Sequence, residues 1–586
     1  MNRHFYCMLL FLLYSYFGVS QNHNNFWISG NDGNPKNIID TALFGGNVFD
    51  FTMGSLNMSK ELRPMNFLET MGVCSDSSGQ LLFYTNGTYI ANVEHDTMKG
   101  GGPMNPGYWA DVWTSWGDKG YRTRDGIIVL PDLNKPNHYR LFHICASDSD
   151  LSPDKIMTTL VDMHGDGGLG EVVEQNRVIY DQEYGRLSQS HFNATRHANG
   201  RDWWLASILY PSEEIMLHLY TPDSIYRFVP QTPLWVKPSA VGQCQFSPDG
   251  TKFASGHARK YGDNYESSIH YYLFDRCSGQ FTPVFYDVQD DYGISQVGVI
   301  FSATSRYLYQ TYQDYIFRFD TEVPDVLASK DTVAEWDGFI WYTPGGSGFP
   351  VRLGYGELGA DDVVYSNSSS ATGYMHKIEH ADSENDFEVA QHFEVPGIYA
   401  WTVPNFPNYF LGPLEGSPCS QMFGPPTAQF AYEGQSLEIV FEDQSTGVPL
   451  AWHWDFGDGG TSDEQHPEHV YMNQGTYTVC LTASNIYGGD MTCSDVMVKT
   501  SAVESQLQQG LLEVYPNPVI DRLEIRFPDA EGQVYLYSVI GQLVATTRIH
   551  QGSATLSLEH CCSSGTYFID VRLQNGVVLR EKLMIQ

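Results

Sequence analysis

The sequence is short of positive charge. Its 586 residues hold 33 Lys and Arg against 69 Asp and Glu, a formal net charge of -36. Nucleic acid and anionic bilayers both select positive surfaces, so the balance argues against both as partners. Charge of either sign is sparse as well, at 17% of residues, which is too little for an acidic disordered chain. No apolar run approaches the roughly 20 residues that span a bilayer, so no transmembrane segment is expected. There is no G-x-S-x-G elbow and no C-x-x-C pair, which removes two common signatures of hydrolase and redox chemistry. Amphipathic helical stretches are few.

What is present is aromatic and glycine-rich. Phe, Trp and Tyr make up 14% of the chain, with 37 Tyr and 55 Gly. That composition describes a β-rich extracellular protein better than a cytosolic helical one. The chain is too long for one hydrophobic core, so two to four domains are expected. At the N-terminus, Arg3 precedes the short apolar core MLLFLLYSYFGV, and Gly18 and Ser20 offer small side chains before Gln21. This reads as a secretory signal peptide over 1–20, cut near Ser20/Gln21, with no cysteine placed to make a lipoprotein. Cys7 lies in that segment, so nine of the ten cysteines remain. An odd number predicts at least one unpaired thiol, or an unusual vicinal pairing of Cys561 with Cys562.

From Gln21 to about Ser417, short strand signals recur. They are LLFYTNG (81–87), HYRLFHI (138–144), DWWLASI (202–208), TKFASG (251–256), RYLYQTY (306–312) and DDVVYSN (361–367). Most follow a polar turn such as SDSSGQ or SPDG. A period of roughly 50–60 residues suits four-stranded propeller blades, and the length predicts about seven of them. A second unit, 424–500, alternates Leu437/Ile439/Phe441, Trp452/Trp454/Phe456 and Tyr477/Val479/Leu481, the period of half-buried antiparallel strands. Cys480 points away from the face set by Val479 and Leu481. Cys493 points the same way if Val496 and Val498 face inward. A cross-strand Cys480–Cys493 disulfide is therefore predicted. Residues 501–510 are a polar linker. The last unit, 511–586, alternates again at Val534/Leu536, Leu556/Leu558 and Tyr567/Ile569/Val571/Leu573. The expected fold class is all-β: a propeller over 21–417, then two small β-sandwiches.

Chemistry-like motifs weigh little. Gly165-Asp-Gly167-Gly-Leu-Gly170 fits a dinucleotide fingerprint, but EVVEQNRVIYD follows it and is no helix candidate. His466-Pro-Glu-His469 carries a helix-breaking proline and lacks the i,i+4 spacing of a zinc helix. Asp148, Asp150 and Asp154 lack the glycine of a calcium loop. No catalytic residue, cofactor site or metal site is assigned. Paired carboxylates for glycoside chemistry cannot be chosen from the many present. Trp109, Trp113 and Trp116 either present a stacking surface or fill space between blades.

Three resemblances accompany these readings. Trp454-Asp455-Phe456-Gly457-Asp458-Gly459, with His469-Val-Tyr471 and Gly475-Thr-Tyr477-Thr-Val479, resembles a PKD domain, an immunoglobulin-like module of extracellular proteins. The last unit is similar to the type A sorting domain of the Bacteroidetes type IX secretion system. Tyr515-Pro516-Asn517-Pro518, Asp521, Leu523, Gly541-Gln542-Leu543-Val544, Gly565-Thr-Tyr567 and the strand ending at Gln586 carry that likeness. It implies that the outer-membrane translocon reads residues 511–586 and releases the cargo or attaches it to the surface. Cys561 and Cys562 fall outside the pattern. The N-terminal region is similar to β-propeller regions of secreted or gliding-associated Bacteroidetes proteins. The pieces are Ser75-Asp76 through Gly87, Gly167 to Gly170, His197-Ala198-Asn199-Gly200, Phe246 to Gly250, Phe274 to Gly279 and Val403 to Asn408.

The resulting expectation is a secreted or surface protein whose propeller binds a glycan, peptide or partner protein. The alternative is a secreted hydrolase or lyase acting on polysaccharide or protein at the propeller axis. The two differ in what should line that axis: aromatic and amide groups for binding, carboxylates or histidines with shifted pKa values for catalysis. A third reading, a structural part of the surface machinery, expects a large apolar patch.

Overall fold

The computed structural model describes residues 23–30, 46–115, 120–147, 152–232, 241–261, 264–291, 296–343, 345–399, 403–434, 436–499, 512–527, 531–539, 541–558, 562–573 and 578–586. The signal peptide, its cut site, Cys561, Trp116, Asp148, Asp150 and the linker 501–510 lie outside them. The chain divides into two compact units, 1–422 and 423–586.

The first unit is built from antiparallel meanders. Their first strands are Phe26–Ser29, Gly72–Ser75, Ile127–Pro131, Arg186–Arg196, Val241–Phe246, Val297–Phe301 and Leu353–Leu358. Each begins a sheet of three or four strands that follow in sequence order, and a separate hairpin, Ile340–Tyr342 with Gly348–Pro350, sits between the sixth and seventh. Each first strand touches the first strand of the next sheet, and the last strand of the seventh sheet touches the first sheet. The ring therefore closes: Trp27, Phe49 and Phe51 share one core with Tyr355, Tyr365 and Met375. Seven sheets around a common axis are the blades of a β-propeller.

The six strand signals named above are the second strands of sheets two to seven. Their visibility has a local cause. In the turns before two of them, Asp76 accepts a hydrogen bond from the amide of Ser78 (2.8 Å), and Asp249 accepts one from Thr251 (2.8 Å). A short acidic side chain that closes its own turn writes the turn into the sequence. The axial strands approach one another closely, and glycine permits it: a Cβ at Gly298 would stand 2.8 Å from the carbonyl oxygen of Gly354 on the next axial strand.

In the second unit, residues 428–498 form two facing sheets of three and four strands. Ile439, Phe441, Trp454, Phe456, Val479, Leu481, Val496 and Val498 fill the core between them. Residues 513–585 repeat the plan with another pair of sheets around Leu523, Ile525, Val534, Leu536, Ile569 and Val571. The alternation in the sequence is the inward face of these strands.

Candidate functional site

The sorting and PKD motifs are structural in this fold. The Tyr515-Pro516-Asn517-Pro518 stretch leaves the strand Glu513–Tyr515 and crosses to the last strand of the chain. There Asn517 donates from Nδ2 to the Lys582 carbonyl (3.0 Å) and accepts at Oδ1 from the Met584 amide (2.9 Å). The backbone of Asp521 accepts from Leu558 (2.9 Å), Gly541 takes a left-handed turn (φ 75°), Gly565 starts a strand, and Tyr567 donates its hydroxyl to Ser563 (3.0 Å).

In the PKD motif, Trp454 and Phe456 are buried, and Asp455 and Asp458 close the turn through the amides of Gly457 and Gly460 (both 2.9 Å). Gly457 is left-handed (φ 77°), and a Cβ there would lie 2.5 Å from the Thr478 carbonyl oxygen, so no other residue fits. Gly459 completes the reversal (φ 92°). His469, one of the two histidines with zinc-like spacing, stacks flat on Phe456 at 4.1 Å and pairs with Asp458 (2.8 Å). His466 accepts from the Asp443 amide (3.1 Å). The two rings have separate partners. Cys480 and Cys493 are directly opposed in their ladder and joined by a disulfide, with Cα atoms 4.1 Å apart.

Other motifs also resolve as local structure. Gly165 to Gly170 is a tight turn into the strand Glu171–Asp181. Asp154 is buried beside Lys155 (3.3 Å). Trp109 lies on a helix, Tyr108–Ser115, half-buried against Ala110, Tyr121 and Ala146. Cys74 and Cys244 are buried, unpaired thiols.

The concave site of the first unit is at the ring's axis. After the seventh sheet the chain turns back over the face where the axial strands end. Asn405 anchors this crossing by donating to the carbonyls of Asp125 and Phe192 (both 2.7 Å) and accepting from Asn193 (2.8 Å). Tyr409 donates to the Val129 carbonyl (2.7 Å), and a Cys277–Cys419 disulfide fixes the segment's end. Between this segment and the ends of the fourth to seventh axial strands lies a cavity of about 350 Å³. That is the lower part of the range that takes a small ligand.

Its wall is aromatic and amide-rich: Phe51, Phe246, Phe301, Phe406 and Phe410, with Asn24, Asn25, Asn193, Gln245 and Asn408. Asn24 Oδ1 is buried with no hydrogen-bond donor among the described residues. Glu357 is the one buried carboxyl on the wall, and Gln245 donates to it (2.9 Å). Burial, and then the negative charge of Asp125, push its pKa well above the usual carboxyl range. A carboxyl shifted in this direction keeps its proton to higher pH than an ordinary one, and in that form it can donate a hydrogen bond. Asp125, buried near the axis, is pushed up by burial to about 8, with Arg124 opposing the shift. The lining contains no histidine.

The opposite mouth is charged and smaller, about 210 Å³. Arg122 there donates to Glu69 (2.7 Å), and Arg124 lies 3.6 Å from the same carboxylate and donates to the Tyr355 hydroxyl (3.1 Å). Elsewhere Ser255, His257 and Glu213 line up as in a nucleophile–base–acid relay, at 2.9 and 3.6 Å. All three are buried, and neither cavity reaches them. A nucleophile without access to substrate performs no chemistry, so this is interior packing.

Sequence reasoning missed the axial residues. Gln245, Phe301 and Glu357 lie at strand ends, Asn24 precedes the first strand and Phe410 lies in the crossing segment; they are spread over most of the first unit, and no local spacing joins them.

Comparison with known proteins follows this division. Residues 417–500 match the PKD domain family, and residues 513–586 match the secretion system C-terminal sorting domain family. A 55-residue stretch is 46% identical to collagenase ColA of Bacillus cereus, covering 9% of this chain and 6% of that enzyme's length. The PKD1 domain of Vibrio cholerae metalloprotease PrtV is 30% identical, covering 13% of this chain and 98% of that structure at a TM-score of 0.13. The β-propeller domain of Vanderwaltozyma polyspora Nup133 is 7% identical, over 56% of this chain and 86% of that one, at a TM-score of 0.28, too low to bear on function. The protein thus carries a PKD module and a type IX sorting domain, and it is a secreted or cell-surface protein. No helix among the described residues is long and apolar enough to cross a membrane.

Proposed function

We propose that this is an adhesion or binding protein, exported by the type IX translocon through residues 511–586, whose propeller holds a glycan, peptide or surface partner in the axial cavity. In this reading a signal peptide over 1–20 is removed before Gln21. A propeller over 21–417, a PKD spacer over 424–500 and a linker over 501–510 precede the sorting domain at 511–586. The observation that supports it is the wall itself: five phenyl rings and five amides, with no histidine. Phenyl faces stack on sugar rings or apolar side chains, and amides supply both donors and acceptors.

Glu357 supports a second reading. A carboxyl whose pKa is raised by burial is suited to act as a general acid, as in a polysaccharide- or protein-degrading hydrolase or lyase. One experiment separates the two. The full mature chain is screened on a glycan array and against polysaccharide and protein substrates. Binding without turnover, weakened about tenfold or more by Phe410→Ala, is the expected outcome. Turnover that disappears in Glu357→Gln reverses the assignment.

A further inference from the structure

The third sheet carries a cluster that neither the axial cavity nor any sequence motif uses. His138 opens its second strand, and Asp162, its ladder partner, closes the third. His164 follows in the turn. The ligand atoms of all three lie within 4.8 Å of one another. His138 Nε2 is 3.5 Å from Asp162 Oδ2, and His164 Nδ1 is 3.1 Å from Asp162 Oδ1. Ligand atoms around a tetrahedral zinc with bonds near 2.0–2.1 Å stand about 3.4 Å apart, and the two histidine–carboxylate distances are close to that spacing.

The surrounding groups orient the rings for that task. The Pro136 carbonyl accepts a hydrogen bond from His138 Nδ1 (3.1 Å). This leaves Nε2 as the ring nitrogen that faces the Asp162 carboxylate, where a cation can sit between the two. On the other ring, the Asn137 amide sits 3.2 Å from His164 Nε2. Here the amide donates from Nδ2 to this nitrogen; with Nδ1 given to a metal, Nε2 carries the hydrogen, and a half-turn of the amide presents its oxygen to accept it. Each ring then has the outer partner that metal-bound histidines regularly have.

The backbone is fixed as well. The Met163 amide donates to the Asn137 carbonyl (3.0 Å), tying the two turns together, and the His164 amide donates to Asp162 Oδ1 (2.8 Å). The side chain of His164 is 61% exposed and that of His138 14%, so solvent or a ligand can complete the coordination. Both turns lie on the edge of the third sheet where its axial strand ends, the same face of the ring as the axial cavity.

We propose that His138, Asp162 and His164 form a binding site for a divalent transition metal, zinc in the first instance, with three protein ligands and a position open to water on the ligand-facing side of the propeller. The donor set of two imidazoles and a carboxylate is one that zinc takes in three-ligand sites.

The test uses the full mature chain, freed of metal by a chelator and titrated with Zn²⁺, and separately with Co²⁺ to read visible absorption. One equivalent of zinc should bind at this site, and Co²⁺ should give the intensified bands of a low-symmetry, four- or five-coordinate centre. His164→Ala should weaken zinc binding more than tenfold. Asn137→Gly keeps the left-handed backbone (φ 57°) and removes only the amide, so it should cost about tenfold through ring orientation alone. Melting curves in chelator check that both variants remain folded. The proposal is overturned if the parent binds no zinc, which would leave the cluster a pair of histidine–carboxylate contacts. It is overturned equally if a His138→Ala/His164→Ala double variant binds zinc as tightly as the parent.

Discussion

Asn517 shows what single residues do in this protein. Flanked by two prolines, it uses both ends of its amide on the backbone of the last strand, at Lys582 and Met584. Replacing it with Ala removes one donor and one acceptor without filling space. Asn517→Ala should therefore loosen the last strand by about 1–2 kcal/mol, read as faster amide exchange in peptides covering 578–586. Unchanged exchange there would contradict the role. Asp125 is the second case. Burial raises its pKa to about 8 in the folded protein, above the roughly 3.9 of an unfolded chain. The folded state binds the extra proton between those values, so this group favours folding at low pH, and the advantage is lost as pH rises from about 4 to about 8. Asp125→Asn cannot ionise. Its stability relative to the parent should grow across that window, and a constant difference in melting temperature from pH 4 to pH 8 would rule this out. Neither environment was legible in the sequence. YPNP was visible as a pattern, but its partners lie some 65 residues away, and nothing near Asp125 marks it as buried.

At the scale of elements, local chemistry and long-range chemistry separate cleanly. The strands with signals are those whose turn closes on itself, as Asp76 and Asp249 do. The second strand of the first sheet, Gly46–Asp50, carries no such signal. The Cys480–Cys493 link joins neighbouring strands 13 residues apart, so strand parity was enough to expect it. Cys277–Cys419 spans 142 residues and joins a blade turn to the segment that crosses the axis, a proximity no periodicity predicts. Peptide mapping without reduction should recover both links. Removing the long one with Cys277→Ser/Cys419→Ser should cost about 2–4 kcal/mol by freeing the unfolded chain, seen as a lower melting temperature of the first unit. Two alkylated thiols at 277 and 419 in the parent would sink that expectation.

For the whole molecule, the sorting domain and the ring pose separate questions. Deleting residues 511–586 should leave the remaining chain in the periplasm when it is expressed in a cell with a type IX translocon, detected by fractionation. Normal appearance of the truncated protein in the medium would refute the assignment of export to this domain. The expected loss is of delivery alone, because residues 1–422 form a compact unit with their own cores.

The order of residues along the chain was sufficient for the class of fold, the two sandwiches and their inward faces, the short disulfide and the address at the C-terminus. Each of these depends on contacts within one hairpin or on a motif contiguous in sequence, where side-chain alternation and turn chemistry act over a few residues. The closed ring, the tail folded across its axis and the cavity of phenyl rings and amides around Glu357 came from the tertiary fold. Those features join residues from separate sheets or from opposite ends of strands. Their proximity is set by ring closure and by burial away from water, which no local pattern records.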